Sequence, residues 1–424
     1  MLLPSTPIPL APAARPGPAR PGVPLAPVLS RTSLAQALFG RARTAAADRA
    51  PGVLDAGWSA PVTSGRIALA LALRELGVQP GDSVLLPAYH SLSMVPPVLW
   101  RGAAPLFYRV GLDAGVDLDD IRTRLVQGVK VLVVTHYFGF PQDMTAIRAF
   151  CDEHGLALVE DCAHCFFGEH AGRPVGSFGD MAIASSMKFF PAYDGGVLVA
   201  RESPQPRPPL ALRSAGAGFE IKALLNALEL GFVYGRLPLL KALTAPLLGA
   251  KDGAWRLLKR LRARGAAAPA PALAPASSDS SAEFDAAWID KRASWFARRL
   301  LTRIPGADIV AARRRHYLEL ERSLGALPGC RPLFARLPDG ACPWMFPLLV
   351  DDPEPVFARL CAWGVPVTRF ASSLWPGVDE RTCPASSRLS RHVLAFPVHQ
   401  ELRAGELSWL AGRVRDAMCA GGGA

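Results

Sequence analysis

Three groups of residues in this chain could do chemistry together. Lys188 ends the run Gly179 to Met187 and precedes Phe189-Phe190-Pro191. An amine placed among Met and Phe side chains loses hydration, which favours its neutral form and its ability to form an imine. Lysine is scarce, seven positions among 47 basic residues, and before residue 200 only Lys130 competes with Lys188. Lys130 follows Gln127-Gly128 near a strand start and is expected in solvent. The second group is Glu160-Asp161-Cys162-Ala163-His164, after the apolar run Leu156 to Val159. A carboxylate at the C-terminal end of a strand can hold a cofactor nitrogen protonated; capping a helix or plain solvation is the alternative. The third is Thr63-Ser64-Gly65-Arg66, opening a helical pattern whose first N–H groups and dipole suit a phosphate. A simple N-cap role for Ser64 is its alternative. Cys162-Ala163-His164-Cys165 also invites a metal, but a structural zinc site needs four ligands and no second pair completes the set, so no metal is expected.

These groups need a scaffold, and the flanking pattern supplies one. Short β-rich runs at Ser83 to Leu86, Pro105 to Val110, Val129 to His136, Leu156 to Asp161, Ala182 to Ser186 and Gly196 to Ala200 alternate with helical patterns at Arg66 to Leu76, Leu118 to Leu125 and Asp143 to His154. Such alternation predicts an α/β domain with a largely parallel sheet. Further on, Phe284 to Leu300 and Ile309 to Leu324 read as helices, and Cys342 to Val350 with Val365 to Phe370 as strands of a smaller α+β domain. The expected organisation is a disordered Pro/Ala/Arg-rich tail over 1–30, a large domain over 31–300 and a small C-terminal domain over 301–424. Within the large domain, an insertion and linker fall at about 204–281.

Length and composition agree with a folded enzyme-sized chain: 424 residues, 50% hydrophobic and 20% charged. Eight irregularly spaced cysteines do not make a disulfide framework, so reduced thiols and a cytoplasmic address are expected. The net charge of +11 fits an anionic substrate or a solvated surface, and no nucleic-acid-binding motif accompanies it. No secretory leader is expected: the first fourteen residues hold four prolines and no basic residue.

From Ser64 to Ala200 the order of motifs resembles the DegT/StrS family of pyridoxal phosphate-dependent sugar aminotransferases. Pro80-Gly81-Asp82, Gly102-Ala103-Ala104-Pro105, His136-Tyr137-Phe138-Gly139, Glu160-Asp161, Gly176-Ser177-Phe178-Gly179-Asp180, Lys188 and Gly195-Gly196 follow the family's succession, and Phe396-Pro397-Val398-His399 resembles its closing segment. The resemblance implies a fold-type I transferase and a homodimer. It also implies transfer of an amino group, from a donor such as glutamate, to a nucleotide-linked keto-sugar in surface polysaccharide or natural-product biosynthesis. Carried over by position, Lys188 would bond covalently to the cofactor and move the proton. Asp161 would pair with the pyridine nitrogen, and His164 would lie against the ring. Ser64, Gly65 and Arg66 would receive the phosphate, with a hydroxyl from Ser185 or Ser186.

The chain departs from the family at several of these positions. Arg66 stands where Thr is common, and Ile183 where a phosphate-binding serine is common. Ser91 takes the place of the aromatic residue that stacks on the ring, a role expected here of neighbouring His90 or Tyr89, with His90 favoured. A partner-supplied asparagine has no clear counterpart. Related sugar dehydratases carry His at the lysine position, which Lys188 argues against; a cofactor-binding protein without turnover is the other alternative. Phe219 to Ala263 is apolar and basic, fitting either a helical hairpin packed on the protein or its partner, or contact with an inner-membrane surface.

Overall fold

The computed structural model describes residues 22–40, 50–201, 210–244 and 283–420. The linker expected at Arg264 to Ser281 therefore lies outside the described residues, as do residues 1–21 of the expected tail. Residues 22–30 are packed: Val23 and Leu29 are buried, and the Pro24 carbonyl lies 2.9 Å from His399 Nε2. That part of the expected tail belongs to the core.

Seven strands form the main sheet: β1 (Trp58–Val62), β2 (Ser83–Pro87), β3 (Ala104–Tyr108), β4 (Val129–Thr135), β5 (Ala157–Asp161), β8 (Met181–Ser185) and β9 (Gly196–Ala200), in the order β1-β9-β8-β5-β4-β2-β3. Strands β3, β2, β4, β5 and β8 run parallel, whereas β9 is antiparallel to both its neighbours. A two-residue hairpin, β6 (Glu169–His170) with β7 (Arg173–Pro174), stands apart. The central strands are apolar along their length, as a sheet covered on both faces requires; β8 reads Met-Ala-Ile-Ala and β9 is buried throughout. The helix Gly65–Glu75 covers one face, its residues Arg66 to Leu73 all buried, and packs on β8 and β9.

Strand β1 carries no clear sequence signal because Pro61 interrupts it; a proline is tolerated there since β1 is an edge strand. The pattern over Phe284 to Leu300 is not one helix. A single 3₁₀ turn at Ala286–Trp288 is followed by a stretch in which Arg292 bridges Val62 of β1, and the helix Trp295–Arg303 begins only after Ser294, whose side chain caps it.

The C-terminal part contains a three-stranded antiparallel sheet, β10 (Cys330–Pro332), β11 (Met345–Val350) and β12 (Val393–Pro397), with β11 in the centre. The strand expected from Cys342 starts only at Met345, because the Trp344 N–H is spent on the Phe138 carbonyl at 2.8 Å. Val365 to Phe370 is not a strand either. Pro366 has no ladder donor, only Thr368 bridges Ala395, and the segment instead carries Phe370 toward the sheet's C-terminal edge. One continuous core joins the two parts, including Tyr89, Phe138, Tyr317, Phe346 and Phe396.

Of the insertion, the helix Ala217–Val233 is followed, after a bend of 116°, by a short helix over Pro238–Thr244. Phe219, Ala223, Ala227 and Phe232 are buried, and Arg236 pairs at 2.6 Å with Glu406 of the C-terminal helix. The helical part thus packs on its own chain. Ile221, Val233, Leu239 and Leu243 remain exposed. Among the described residues no single helix is long and apolar enough to cross a membrane.

Candidate active site

Parallel strands end together, and the loops leaving their C-terminal ends converge there. Thr135 closes β4, Asp161 closes β5 and Ser185 closes β8; together with the N-terminus of the helix Gly65–Glu75 they line one cleft. Ser64, Gly65, Arg66, Asp161, His164, Ser185 and Lys188 all face it. Lys130 does not: it sits near the opposite end of β4, 3.4 Å from Asp82. A wider open cleft of about 1030 Å³, lined by Asp143, Glu321, Arg331 and Arg336 among others, lies between the large and C-terminal parts and contains neither Lys188 nor Asp161.

Asp161 is held from two sides, by the Thr135 hydroxyl at 3.2 Å and the Ala163 N–H at 2.9 Å. Burial pushes its carboxyl above the ordinary value, against the pull of these hydrogen bonds and the Lys188 charge. The carboxylate is therefore poised to gain from a cation placed beside it. His164 is buried, and burial followed by the Lys188 charge keeps its imidazole neutral. Its Nδ1 has no hydrogen-bond partner among the described residues. The ring stacks on Trp344 with centroids 3.8 Å apart, and the Lys188 Nζ lies 4.6 Å from the centre of the same indole.

Ser64 caps the helix Gly65–Glu75 by accepting from the Ile67 N–H at 3.4 Å. The N–H groups of Gly65 and Arg66 belong to the first turn, where no intrahelical acceptor exists. The N-cap and the anion-binding readings of Ser64 are thus compatible. The turn is packed tightly on β9: a Cβ added at Gly196 would lie 2.6 Å from the Gly65 nitrogen and closer still to the Ser64 carbonyl. Gly196→Ala is expected to displace the turn and weaken binding of a phosphate-bearing ligand by about tenfold or more, from misplacement of its donors. Titration with pyridoxal phosphate checks this, and unchanged affinity would count against the turn as the anion site.

Two expectations are corrected by the geometry, those of His90 and Ser186, and the Arg66 side chain is given a partner within the chain. The Arg66 guanidinium donates to the backbone carbonyl of Glu283, so its side chain is tied to the chain beyond the insertion. His90 does not reach the cleft. Its Nδ1 lies 3.0 Å from the Ala88 carbonyl, its Nε2 accepts from the Trp375 N–H at 3.2 Å, and its ring stacks on Phe107. Tyr89 is buried against Tyr137 and Phe370. Residues Ser91, Ser93 and Met94 line that side of the cleft instead. Ser186 is buried and turned toward Gly195, leaving Ser185 as the hydroxyl at the cleft.

Glu160, next to Asp161, points the other way. It accepts from the N–H groups of Gly176, Phe178 and Gly179 at 2.9, 2.6 and 2.6 Å and from His136 Nε2 at 3.1 Å. The Gln142 N–H donates to His136 Nδ1, which leaves Nε2 as the donor. Burial pushes Glu160 up, but His136 and the backbone donors outweigh it and hold the carboxyl below the ordinary 4.5. His136, Glu160 and Cys162 bring potential ligand atoms within 4.8 Å of one another, yet both imidazole nitrogens and both carboxylate oxygens are already engaged in these hydrogen bonds. Glu160 thereby fixes the Gly176–Gly179 turn. Glu160→Gln puts an amide donor against backbone donors and is expected to cost about 2–4 kcal/mol. A carboxyl held low stabilises the fold above its unfolded value and loses that contribution as pH falls through the folded one. Acidification below about 4.5 should therefore narrow the gap in melting temperature between wild type and variant; a gap independent of pH would refute the assignment.

Sequence reasoning missed Trp344, Phe370 and Thr135. Trp344 and Phe370 come from the C-terminal part, more than 150 residues beyond Lys188, and nothing local marks them. Thr135 had a signal, since it ends a strand beside the His136 motif.

Residues 52–239 match the family model described as the DegT/DnrJ/EryC1/StrS aminotransferase family. The match covers less than half of the chain. The matched residues include all of those that line the cleft except Phe370. The chain is 36% identical, over 169 residues, to UDP-N-acetyl-3-dehydro-alpha-D-glucosamine 3-aminotransferase of Acidithiobacillus ferrooxidans, a match covering 36% of this chain and 43% of that protein. It is 33% identical over 142 residues to GDP-perosamine synthase of Vibrio cholerae, covering 33% and 39%. The chain thus spans less than half the length of these curated relatives. The likeness of fold extends further: Spr1654 of Streptococcus pneumoniae in its PLP form superimposes with a TM-score of 0.64 at 14% identity, over 94% of this chain and 99% of that one.

Proposed function

We propose that the protein is a pyridoxal phosphate-dependent aminotransferase that moves an amino group from an amino acid, glutamate by family habit, to a nucleotide-linked keto-sugar. The observation that carries this is one cleft holding an amine, a buried carboxylate and a helix N-terminus, contributed by Lys188, Asp161 and the Ser64–Arg66 turn. The residues fit the cofactor. The unpartnered Nδ1 of His164 gives a buried polar atom that a bound ring would satisfy, the carboxyl of Asp161 would gain from a pyridinium N–H, and Ser185 with the first-turn N–H groups suits a phosphate. When bound, pyridoxal phosphate supplies an electron-withdrawing ring that spreads the charge left on a deprotonated carbon.

This chain's own residues do the rest. Lys188 would hold the cofactor through its amine, and its Nζ would serve as the base that takes up and returns a proton. Asp161 would hold a proton on the ring nitrogen by charge, while Thr135 and Ala163 keep Asp161 in place. His164 and Trp344 form a stacked wall beside the amine.

The test is a spectral screen of purified protein against amino acid donors and keto-sugar nucleotides. A cofactor absorption that changes with a donor and returns with a sugar is the expected result; retained cofactor with no response to any donor would favour a binding protein without turnover. A homodimer, a cytoplasmic address and contact of the 219–263 region with an anionic membrane belong to the same proposal. The exposed Ile221, Val233, Leu239 and Leu243, followed in sequence by Lys251, Arg256, Lys259, Arg260 and Arg262, support the membrane contact. Co-sedimentation with liposomes that survives deletion of 219–263 would remove it.

A further inference from the structure

The helix Gly306–Leu324 has a buried stripe at Ile309, Arg313, His316, Tyr317, Leu320 and Leu324, the spacing of a core-facing side. Arg313 is fully buried in it. Its guanidinium donates in three directions: Nη2 to the Lys188 carbonyl at 2.8 Å, Nη1 to the carbonyls of Pro343 and Trp344 at 3.2 and 3.1 Å, and Nε to Gln400 Oε1 at 3.1 Å. Gln400 in turn donates to the Phe189 carbonyl at 2.8 Å, and the guanidinium carbon lies 4.3 Å from the centre of the Phe189 ring. None of these partners is a carboxylate, and burial lowers the guanidinium to about 10. A buried cation without a counter-charge is a poor way to fill space, and an apolar side chain would do so at less cost. What only arginine supplies here is a rigid fork of donors at fixed angles.

We infer that Arg313, seconded by Gln400, is a positioning residue that aims the Lys188 amine. One arm of the fork and the Gln400 amide fix two successive carbonyls, of Lys188 and Phe189, and so set the direction in which the lysine side chain leaves the backbone. Another arm fixes Pro343 and Trp344, whose indole carries the Lys188 Nζ on one contact and the His164 ring on another. A single side chain thus sets the mutual placement of amine, indole and imidazole. The signal is legible in the sequence as an arginine on an otherwise core-facing stripe.

The inference rests on the proposed pyridoxal phosphate chemistry, and its test separates the two. Wild type, Arg313→Met, Arg313→Lys and Gln400→Leu are mixed with pyridoxal phosphate and quenched with borohydride at timed intervals, and the modified Lys188 peptide is measured by mass. The pH midpoint of the bound cofactor's absorption is read in parallel, and melting temperature reports folding. Misaiming the amine is expected to slow capture about tenfold in Arg313→Met, less in Arg313→Lys, and about threefold in Gln400→Leu. The pH midpoint is expected to move in the same order, which loss of stability alone would not produce. Capture at the wild-type rate with an unmoved midpoint in folded Arg313→Met overturns the inference. Should that variant fail to fold, wild-type behaviour of Gln400→Leu overturns it instead. Failure of the wild-type chain to capture the cofactor on Lys188 overturns the proposed function, independently of every variant.

Discussion

Lys188→Ala is expected to abolish covalent capture of pyridoxal phosphate and to lower transamination by about 10⁴-fold or more, the upper range for losing a positioned proton carrier. Among the described residues Lys188 is the lysine facing the cleft. Lys130 is engaged with Asp82 and the Gly77 carbonyl at the far end of β4 and cannot substitute. The other lysines among the described residues, Lys222, Lys241 and Lys291, lie on or beyond the insertion, and none lines the cleft. Borohydride reduction followed by peptide mapping, with steady-state rates beside it, checks both halves of the expectation. The variant should still bind the cofactor non-covalently, because Asp161, Ser185 and the Ser64–Arg66 turn are untouched. A variant that still forms a reducible adduct within the cleft, or turns over at a rate near wild type, would show that the amine has been misassigned.

Asp161→Asn is the second large effect, with an expected loss of about 10³-fold in transamination, the scale of removing one preorganised charge from a dry site. The amide keeps the shape of the carboxyl and can still accept from the Ala163 N–H, so the fold should be retained. What it cannot do is hold a proton on a pyridine nitrogen. Stability should move in the opposite sense from activity. The folded carboxyl is raised above its ordinary value, chiefly by burial; for an acid so raised, stability is present below the ordinary value and is lost as pH climbs through the folded one. At neutral pH the cofactor-free variant should therefore melt at or above the wild-type temperature, and the difference should shrink on acidification. This is the reverse of the Glu160→Gln expectation, although the two carboxyls are adjacent in sequence. Measuring both variants in the cofactor-free state across pH tests the separation of roles. If Asp161→Asn destabilises as Glu160→Gln does, Asp161 is a structural acid rather than a ligand for a cation.

That adjacency shows where sequence reasoning stops. Strand periodicity places Glu160 and Asp161 on opposite faces of β5, and the resemblance in motif order implies that Asp161 is the cofactor-facing member. Nothing in the sequence shows that Glu160 gathers the N–H groups of Gly176, Phe178 and Gly179 with His136 as its fourth donor, because those partners come from two other segments. The His136-Tyr137-Phe138-Gly139 motif has the same character. It reads as a family marker, but in space its job is joinery. His136 anchors Glu160, the Phe138 carbonyl receives the Trp344 N–H, and Gly139, at a φ of +95°, leaves room for a backbone that any Cβ would strike, Pro343 Cα and Trp344 N lying 2.7 Å from that position.

By itself the sequence determined the alternation of strands and helices, the parallel core of the sheet, and the members of the cleft that sit at strand ends or open a helix: Lys188, Asp161, His164 and the Ser64–Arg66 turn. The alternation depends on local patterns, apolar runs with period two and helix starts with a capping hydroxyl, which a short window contains in full, whereas these cleft members were implied by the order of motifs that resembles the family. The tertiary structure decided which neighbour faces inward, Ser185 rather than Ser186 and Ser91 rather than His90, and tied the Arg66 guanidinium to a carbonyl of Glu283. It also brought Trp344, Phe370 and Arg313 to the site from the far end of the chain. The reason is physical. Burial and hydrogen-bond satisfaction are set by whatever packs across the gap, and across this cleft the opposing atoms come from residues more than a hundred positions away.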